Sequence, residues 1–177
     1  MELSKLSLIK TILNSDNQST EDILNQVVKE IGETLNVDRC FLCVRDPFKQ
    51  RCQTPFVWKR NDSIAGDYFQ MKWVEESSFV NDDPLYRSAL ACQPSIYITD
   101  IEQVSSQILN RQFEDRYFGH RAFIHAHIVK DGQLWGTLEP CVFNHPRQWT
   151  TDQRTFIQTL LPLLVDHVQT FIRKQTD

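Results

Sequence analysis

The chain has 177 residues, enough for one domain with a core of its own. Its 19 basic and 23 acidic side chains leave a net charge of −4, which gives no electrostatic grip on nucleic acid or anionic lipid. No apolar run approaches bilayer length, the opening MELSKLSLIKTILNS lacks a signal-peptide core, and five cysteines without an export signal read as reduced thiols. A soluble cytoplasmic protein is the expectation.

Leu3, Leu6, Ile9, Ile12 and Leu13 recur at helical spacing and predict an opening amphipathic helix. After a polar break over 14–18, Ser19 starts a capping pattern with Glu21 and Asp22 in the first turn. Ile23, Val27, Ile31 and Leu35 carry that second helix to Asn36. Residues 37–45, VDRCFLCVR, read as the first strand, ending at Asp46-Pro47. Residues 52–60 and 68–74 are the next strands, with a turn over 61–67 that contains Gly66. Trp58 and Trp73 give these strands one buried face. Asp82-Asp83-Pro84 starts a helix that runs to about Cys92 and stops before Pro94. Residues 95–99 form a strand, and the polar stretch 102–117 is partly helical.

Residues 119–149 predict one long hairpin that turns at Asp131-Gly132 and is closed by Pro146. Thr150 and Gln153 then fit a capping box. Ile157, Leu160, Leu161, Leu164, Val168, Phe171 and Ile172 mark a long last helix, which Pro162 should kink or split. A strand-rich middle between terminal helices is an α+β layout.

Side chains of the hairpin alternate between two faces. Ala122, Ile124, Ala126 and Ile128 share one face with Gly136, Leu138 and Val142, which suits packing on the terminal helices. Phe123, His125 and His127 take the other, as do Trp135, Thr137, Glu139, Cys141 and Phe143 on the second strand. A two-residue turn sets His125 opposite Leu138. One more residue, with Gly132 as a left-handed bulge, sets His125 opposite Glu139 and His127 opposite Thr137.

Two histidines with Glu139 and Cys141 across from them admit a transition metal, although the spacing is not diagnostic. A plain His125–Glu139 contact and an organic ligand held by the same groups are the other accounts, and both outrank metal. Cys40 and Cys43 stand three apart on a strand, so their thiols face opposite sides and cannot share a metal. Phosphate-loop, nucleophile-elbow and zinc-protease motifs are missing. Cys141 with His125 as nucleophile and base lacks an oxyanion device, so no enzyme activity is assigned.

The order Gly119, Arg121-Ala122, strand, Leu134-Trp135-Gly136, strand, Pro146-Arg147-Gln148-Trp149 resembles a GAF domain. It is most similar to the phytochrome and cyanobacteriochrome GAF domains of cyanobacteria. The resemblance implies a central antiparallel sheet with terminal helices on one face and a lidded small-molecule pocket on the other, the segment 102–117 being the lid. It favours the register that pairs His125 with Glu139, because relatives place pocket residues at the positions of His125 and Cys141. Photoreceptor relatives attach a linear tetrapyrrole to a Cys followed by His. Here that pair falls on Asn110-Arg111, and a second pocket His falls on Cys141.

The resemblance therefore implies a non-enzymatic sensory or regulatory domain whose cofactor is unknown; against the resemblance, the segment 105–118 holds no cysteine, and no covalent bilin is expected. Arg111, Tyr117, Phe123, His125, His127, Thr137, Glu139 and Cys141 are its pocket candidates, and of the cysteines only Cys141 is expected to face that pocket. Non-covalent bilin binding and a ligand-free interaction module are the alternatives. The implied partners are a second copy bound through the terminal helices, by way of Leu6, Phe171 or Ile172, and an output domain or partner kinase. Residues 1–18 would be an extension, 19–150 the GAF core and 151–177 a signalling or dimer helix.

Overall fold

A computed structural model of the chain describes residues 2–64 and 72–175. Its strands are β1 (Arg39–Asp46), β2 (Arg51–Lys59), β3 (Val74–Glu75), β4 (Ile96–Ile98), β5 (Ala122–Lys130) and β6 (Gln133–Val142). Its α-helices are α1 (Glu2–Leu13), α2 (Thr20–Leu35), α3 (Pro84–Leu90), α4 (Arg111–Tyr117) and α5 (Thr151–Lys174). The strands form one antiparallel sheet in the order β3-β2-β1-β6-β5-β4. The α+β architecture expected from the sequence is the one observed.

Local chemistry sets the helix ends. The Ser19 side chain accepts from the Asp22 N–H, and Thr150 and Gln153 form a reciprocal capping box. Asp83 caps α3 by accepting from the Tyr86 N–H, with Pro84 in the first turn. Helix α5 runs unbroken through Pro162, so the split expected there does not occur. Leu160, Leu161, Leu164 and Val165, on both sides of the proline, are buried in one core, and that burial offsets a cost of about 3 kcal/mol.

The sheet separates two layers. On one face α1, α2 and α5 bury Ile9, Leu24, Ile31, Leu160 and Val168 against Leu42, Val44, Ala126, Ile128 and Leu138. Phe171 and Ile172 belong to this core, Phe171 meeting Phe56 edge-on at 4.9 Å. Leu6 packs on it as well, so none of these three stands ready for a second subunit. On the other face α3 and the residues flanking α4 pack on Phe123, Leu134 and Cys141. Part of the strand expected over 68–74 lies outside the described residues, as does Gly66; what is described is the two-residue β3.

The hairpin register combines the two geometries the sequence allows. Asp131 (φ 54°) and Gly132 (φ 70°) make a two-residue turn between Lys130 and Gln133, with both central residues left-handed. Val129 pairs with Leu134, but Ile128 pairs with Gly136, so Trp135 is the bulged residue. Beyond the bulge His127 faces Thr137, and the same count sets His125 opposite Glu139. The bulge also moves Trp135 to the helix-covered face, where it packs on the main core and meets Phe48. Sequence alternation alone had placed it on the opposite face.

Candidate functional site

The face of the sheet away from the terminal helices carries a cavity of about 290 Å³. Phe41 and Cys43 of β1, Cys52 and Thr54 of β2, and His125, Thr137 and Glu139 of the hairpin form its floor. Asp83 and Tyr86 at α3 and Phe113, Tyr117 and Phe118 at α4 form its walls. A smaller cavity beside it shares Asp83, Phe113, Phe118, His125 and Glu139 and adds Glu114.

Four of the eight residues expected from sequence, Tyr117, His125, Thr137 and Glu139, line the main cavity. The other four sit elsewhere. Phe123 and Cys141 are fully buried beneath it with Leu85, Ile98, Ile101 and Leu109. The Cys141 thiol donates to the Arg39 carbonyl oxygen at 3.4 Å, so Cys43 and Cys52 face the cavity in its place. His127 is turned toward the end of α3, and Arg111 lines a separate surface depression with Arg87 and Asn110. As expected, Cys40 packs in the helix-side core while Cys43 faces the opposite side.

Hydrogen bonding fixes the histidine tautomers. His127 Nδ1 lies 2.7 Å from the Gln93 carbonyl oxygen, which only accepts, so Nδ1–H donates. Burial holds both imidazoles neutral, lowering the pKa of His127 and taking that of His125 well below its ordinary value. His127 Nε2 therefore accepts, from His125 Nδ1–H at 2.9 Å. His125 is left with a lone pair on Nε2, beside Glu139 Oε1 at 3.5 Å. Glu139 Oε1 accepts from the Thr137 hydroxyl at 3.0 Å. Burial, with Glu114 and Asp83 adding to it, raises the Glu139 pKa to about 8, so this carboxyl is largely neutral at pH 7. Burial likewise lifts Asp83 to about 6.

Two further buried polar groups had no signal beyond single charged letters in the sequence. Arg45 pairs with Glu76 and donates to the Leu134 carbonyl at 3.2 Å, and the Tyr86 hydroxyl donates to Glu76 at 2.9 Å. Behind α4, His120 Nδ1 lies 2.9 Å from Glu114 Oε1, and Arg39 Nη2 lies 2.6 Å from His120 Nε2. Nδ1–H of His120 faces the Glu114 carboxylate; against burial, which would lower it, Cys141 and Glu114 raise the His120 pKa to about 10. Glu114, His120 and Arg39 thus tie α4 to β1. Asn110 ties the start of the same helix to the Asp82 carbonyl at 2.9 Å.

Among the described residues no three of His, Cys, Asp and Glu converge as metal ligands. The Cys43 thiol is poorly disposed to nucleophilic attack, because hydrogen bonding to Cys52 and then burial raise its pKa well above its ordinary value. What the arrangement can do is hold a small organic molecule between aromatic walls and a polar floor of donors and acceptors.

The GAF domain family model matches residues 19–164. The chain belongs to the GAF domain family. The match covers the sheet, both cavity walls and most of α5. No curated protein sequence matches the chain. Among solved structures, this GAF domain is similar to that of an Acinetobacter phosphoenolpyruvate-protein phosphotransferase, at 16% identity and a TM-score of 0.72 over 100% of this chain and 98% of the other. It is similar to a phycoerythrobilin-bound GAF domain from a cyanobacterial phytochrome, at 16% identity and a TM-score of 0.75 over 98% of each chain. It also resembles a free methionine-R-sulfoxide reductase from Neisseria meningitidis solved with its substrate, at 12% identity and a TM-score of 0.68 over 95% of this chain and 88% of the other. At these identities the likeness establishes the fold. No helix among the described residues is long and apolar enough to cross a membrane.

Proposed function

We propose that this GAF domain is a sensory or regulatory module without catalytic activity, and that it binds a small organic ligand in the cavity between the sheet and helices α3 and α4. The observation that carries this reading is the aromatic-walled cavity, where Tyr117, His125, Thr137 and Glu139 converge. The segment around α4 supplies Phe113, Tyr117 and Phe118 and acts as the lid. The raised Cys43 pKa argues against that thiol acting as a nucleophile.

A linear tetrapyrrole fits this lining poorly. Its propionates would meet the Glu139 and Asp83 carboxyls, and no Lys or Arg lines the cavity among the described residues. Cys43 and Cys52 face the cavity from β1 and β2, whereas no cysteine stands on the segment leading into Gly119.

The test is native mass spectrometry and thermal shift of the whole chain against a panel of soluble metabolites. The expected outcome is a saturable, stabilising ligand whose binding is lost in Phe113→Trp, which fills the cavity. Failure of every panel member to bind, or binding indifferent to Phe113→Trp, would overturn the reading.

We also propose a homodimer through the terminal helices, and transmission to an output domain or partner kinase of the cytoplasm. With Phe171 and Ile172 committed to the core, the outer face of the helix layer, where Leu8 and Leu163 are exposed, is the surface for this contact. Sedimentation should show a dimer at tens of micromolar, and a monomer in the double variant Leu8→Glu/Leu163→Glu, on the order of the weak end of specific association. A monomeric parent protein would end the dimer proposal.

A further inference from the structure

Among the described residues the ionisable groups of the cavity lining are acidic or neutral, beside the uncharged Gln53, Thr54, Ser78 and Thr137. Glu139 and Asp83 present carboxyl oxygens, and the Cys43 and Cys52 thiols are weak donors at best. His125 is 4% exposed, and its Nε2 lone pair stands at the cavity, 3.5 Å from Glu139 Oε1. That orientation is imposed from outside the cavity, by the His127–Gln93 contact that takes up the other ring nitrogen.

Positive charge is absent from the lining among the described residues. Arg45 is turned to Glu76 and the Leu134 carbonyl, and Arg39 lies behind Phe118 and His120. Six aromatic rings complete the walls: Phe41, Phe79, Tyr86, Phe113, Tyr117 and Phe118. Aromatic faces attract organic cations, and a carboxylate beside them completes the match to an ammonium group. An anion entering this space would find no cationic side chain to pair with among the described residues, and the Asp83 and Glu139 carboxyls beside it.

We propose that the cavity takes a small aromatic monocation, with its ammonium hydrogens on His125 Nε2, Glu139 and Asp83 and its apolar body between Phe113, Tyr117 and Phe118. This rests on the reading of the cavity as a ligand site and adds the ligand's chemical class. Binding is coupled to a proton. Glu139 is largely protonated at pH 7, so an incoming cation drives its proton into solvent. The groups facing Glu139 are His125 of β5, Thr137 of β6, Cys43 of β1, Asp83 before α3 and Glu114 of α4, with His120 behind Glu114. Of these, His120, from behind Glu114 and outside the cavity lining, and then the Thr137 hydroxyl favour the ionised form, and burial outweighs them.

The experiment is isothermal titration of the whole chain with three probes of one shape: 2-phenylethylammonium, 2-phenylethanol and phenylacetate. The ammonium should bind roughly tenfold or more tightly than phenylacetate. Its affinity should rise by roughly tenfold between pH 6.5 and 8.5, with proton release seen as a dependence on buffer ionisation heat. Glu139→Gln and Asp83→Asn should each weaken the ammonium at least several-fold and leave 2-phenylethanol unchanged. Both replacements are close to isosteric, and Asn caps a helix as well as Asp does, so the fold is retained.

Equal or tighter binding of phenylacetate, no saturable binding of the ammonium, or indifference to Glu139→Gln would overturn the cation assignment. Saturable binding of 2-phenylethanol or phenylacetate alone, abolished by Phe113→Trp, would overturn it while leaving the cavity a ligand site. That outcome separates failure of this inference from failure of the functional reading it rests on.

Discussion

His125 Nδ1 lies 2.9 Å from His127 Nε2, so two residues that alternate along one strand are hydrogen-bonded side by side. The pair is polarised in one direction, from the cavity toward the Gln93 carbonyl. Replacing His127 by Phe would leave the His125 N–H and the Gln93 carbonyl without partners. A loss of about 1–3 kcal/mol in urea denaturation is expected. In the same variant, ¹⁵N chemical shifts should show His125 losing its single Nδ1–H tautomer. An unchanged tautomer and midpoint would refute the relay.

Glu139 makes stability depend on pH in the direction opposite to most carboxylates. Its folded pKa of about 8 lies above the ordinary 4.5. Between these values the folded chain holds a proton that the unfolded chain has released. Stability therefore falls as pH rises from about 4.5 to about 8 and levels off above that. Glu139→Gln cannot ionise, so it should match the parent near pH 4 and exceed it by at least about 1 kcal/mol at pH 9. Parallel curves for the two proteins across that window would show that Glu139 titrates normally.

Gly136→Ala should be severely destabilising, by about 3 kcal/mol or more. A Cβ at this position would overlap the Cys43 carbonyl oxygen, which is backbone in the adjacent strand β1 and cannot swing aside. A melting temperature within about 3 °C of the parent, an interval that corresponds to roughly 1 kcal/mol in a chain of this size, would contradict the packing.

Glu114 anchors the wall helix α4 through His120. Glu114→Ala should raise amide exchange over residues 111–118 by about tenfold or more, and Glu114→Gln, which still accepts, by less. Equal protection in all three proteins would mean that α4 is held by its apolar contacts alone.

Most elements were legible in the sequence because local chemistry marks them. Ser19, Asp83-Pro84 and Thr150-Gln153 announce helix starts, and all three are observed as caps. Of the pocket candidates, His125, Thr137 and Glu139 were legible because strand alternation and hairpin pairing place them, and Tyr117 through the lid segment that the resemblance implied. Asp83, Tyr86 and Phe113 were not, because they reach the cavity from helices whose docking on the sheet leaves no periodic trace. Arg111 was assigned through resemblance and Cys141 through alternation and resemblance together, and the chain's own packing sends the first to a separate depression and the second into the core.

By itself the sequence determined the α+β order of elements, the Asp131-Gly132 hairpin and the two chemically distinct faces of its strands, since each follows from turn residues and periodicity within a short window. Only the tertiary structure decided the rest. Trp135 changes face because a single bulge changes the alternation, and the bulge is set by pairing with β5. Phe171 and Ile172 are core residues because α5 lies on the sheet along its full length. Glu139, an ordinary acid in the sequence, is largely neutral at pH 7 because folding removes it from water and brings Asp83 and Glu114 beside it from distant segments.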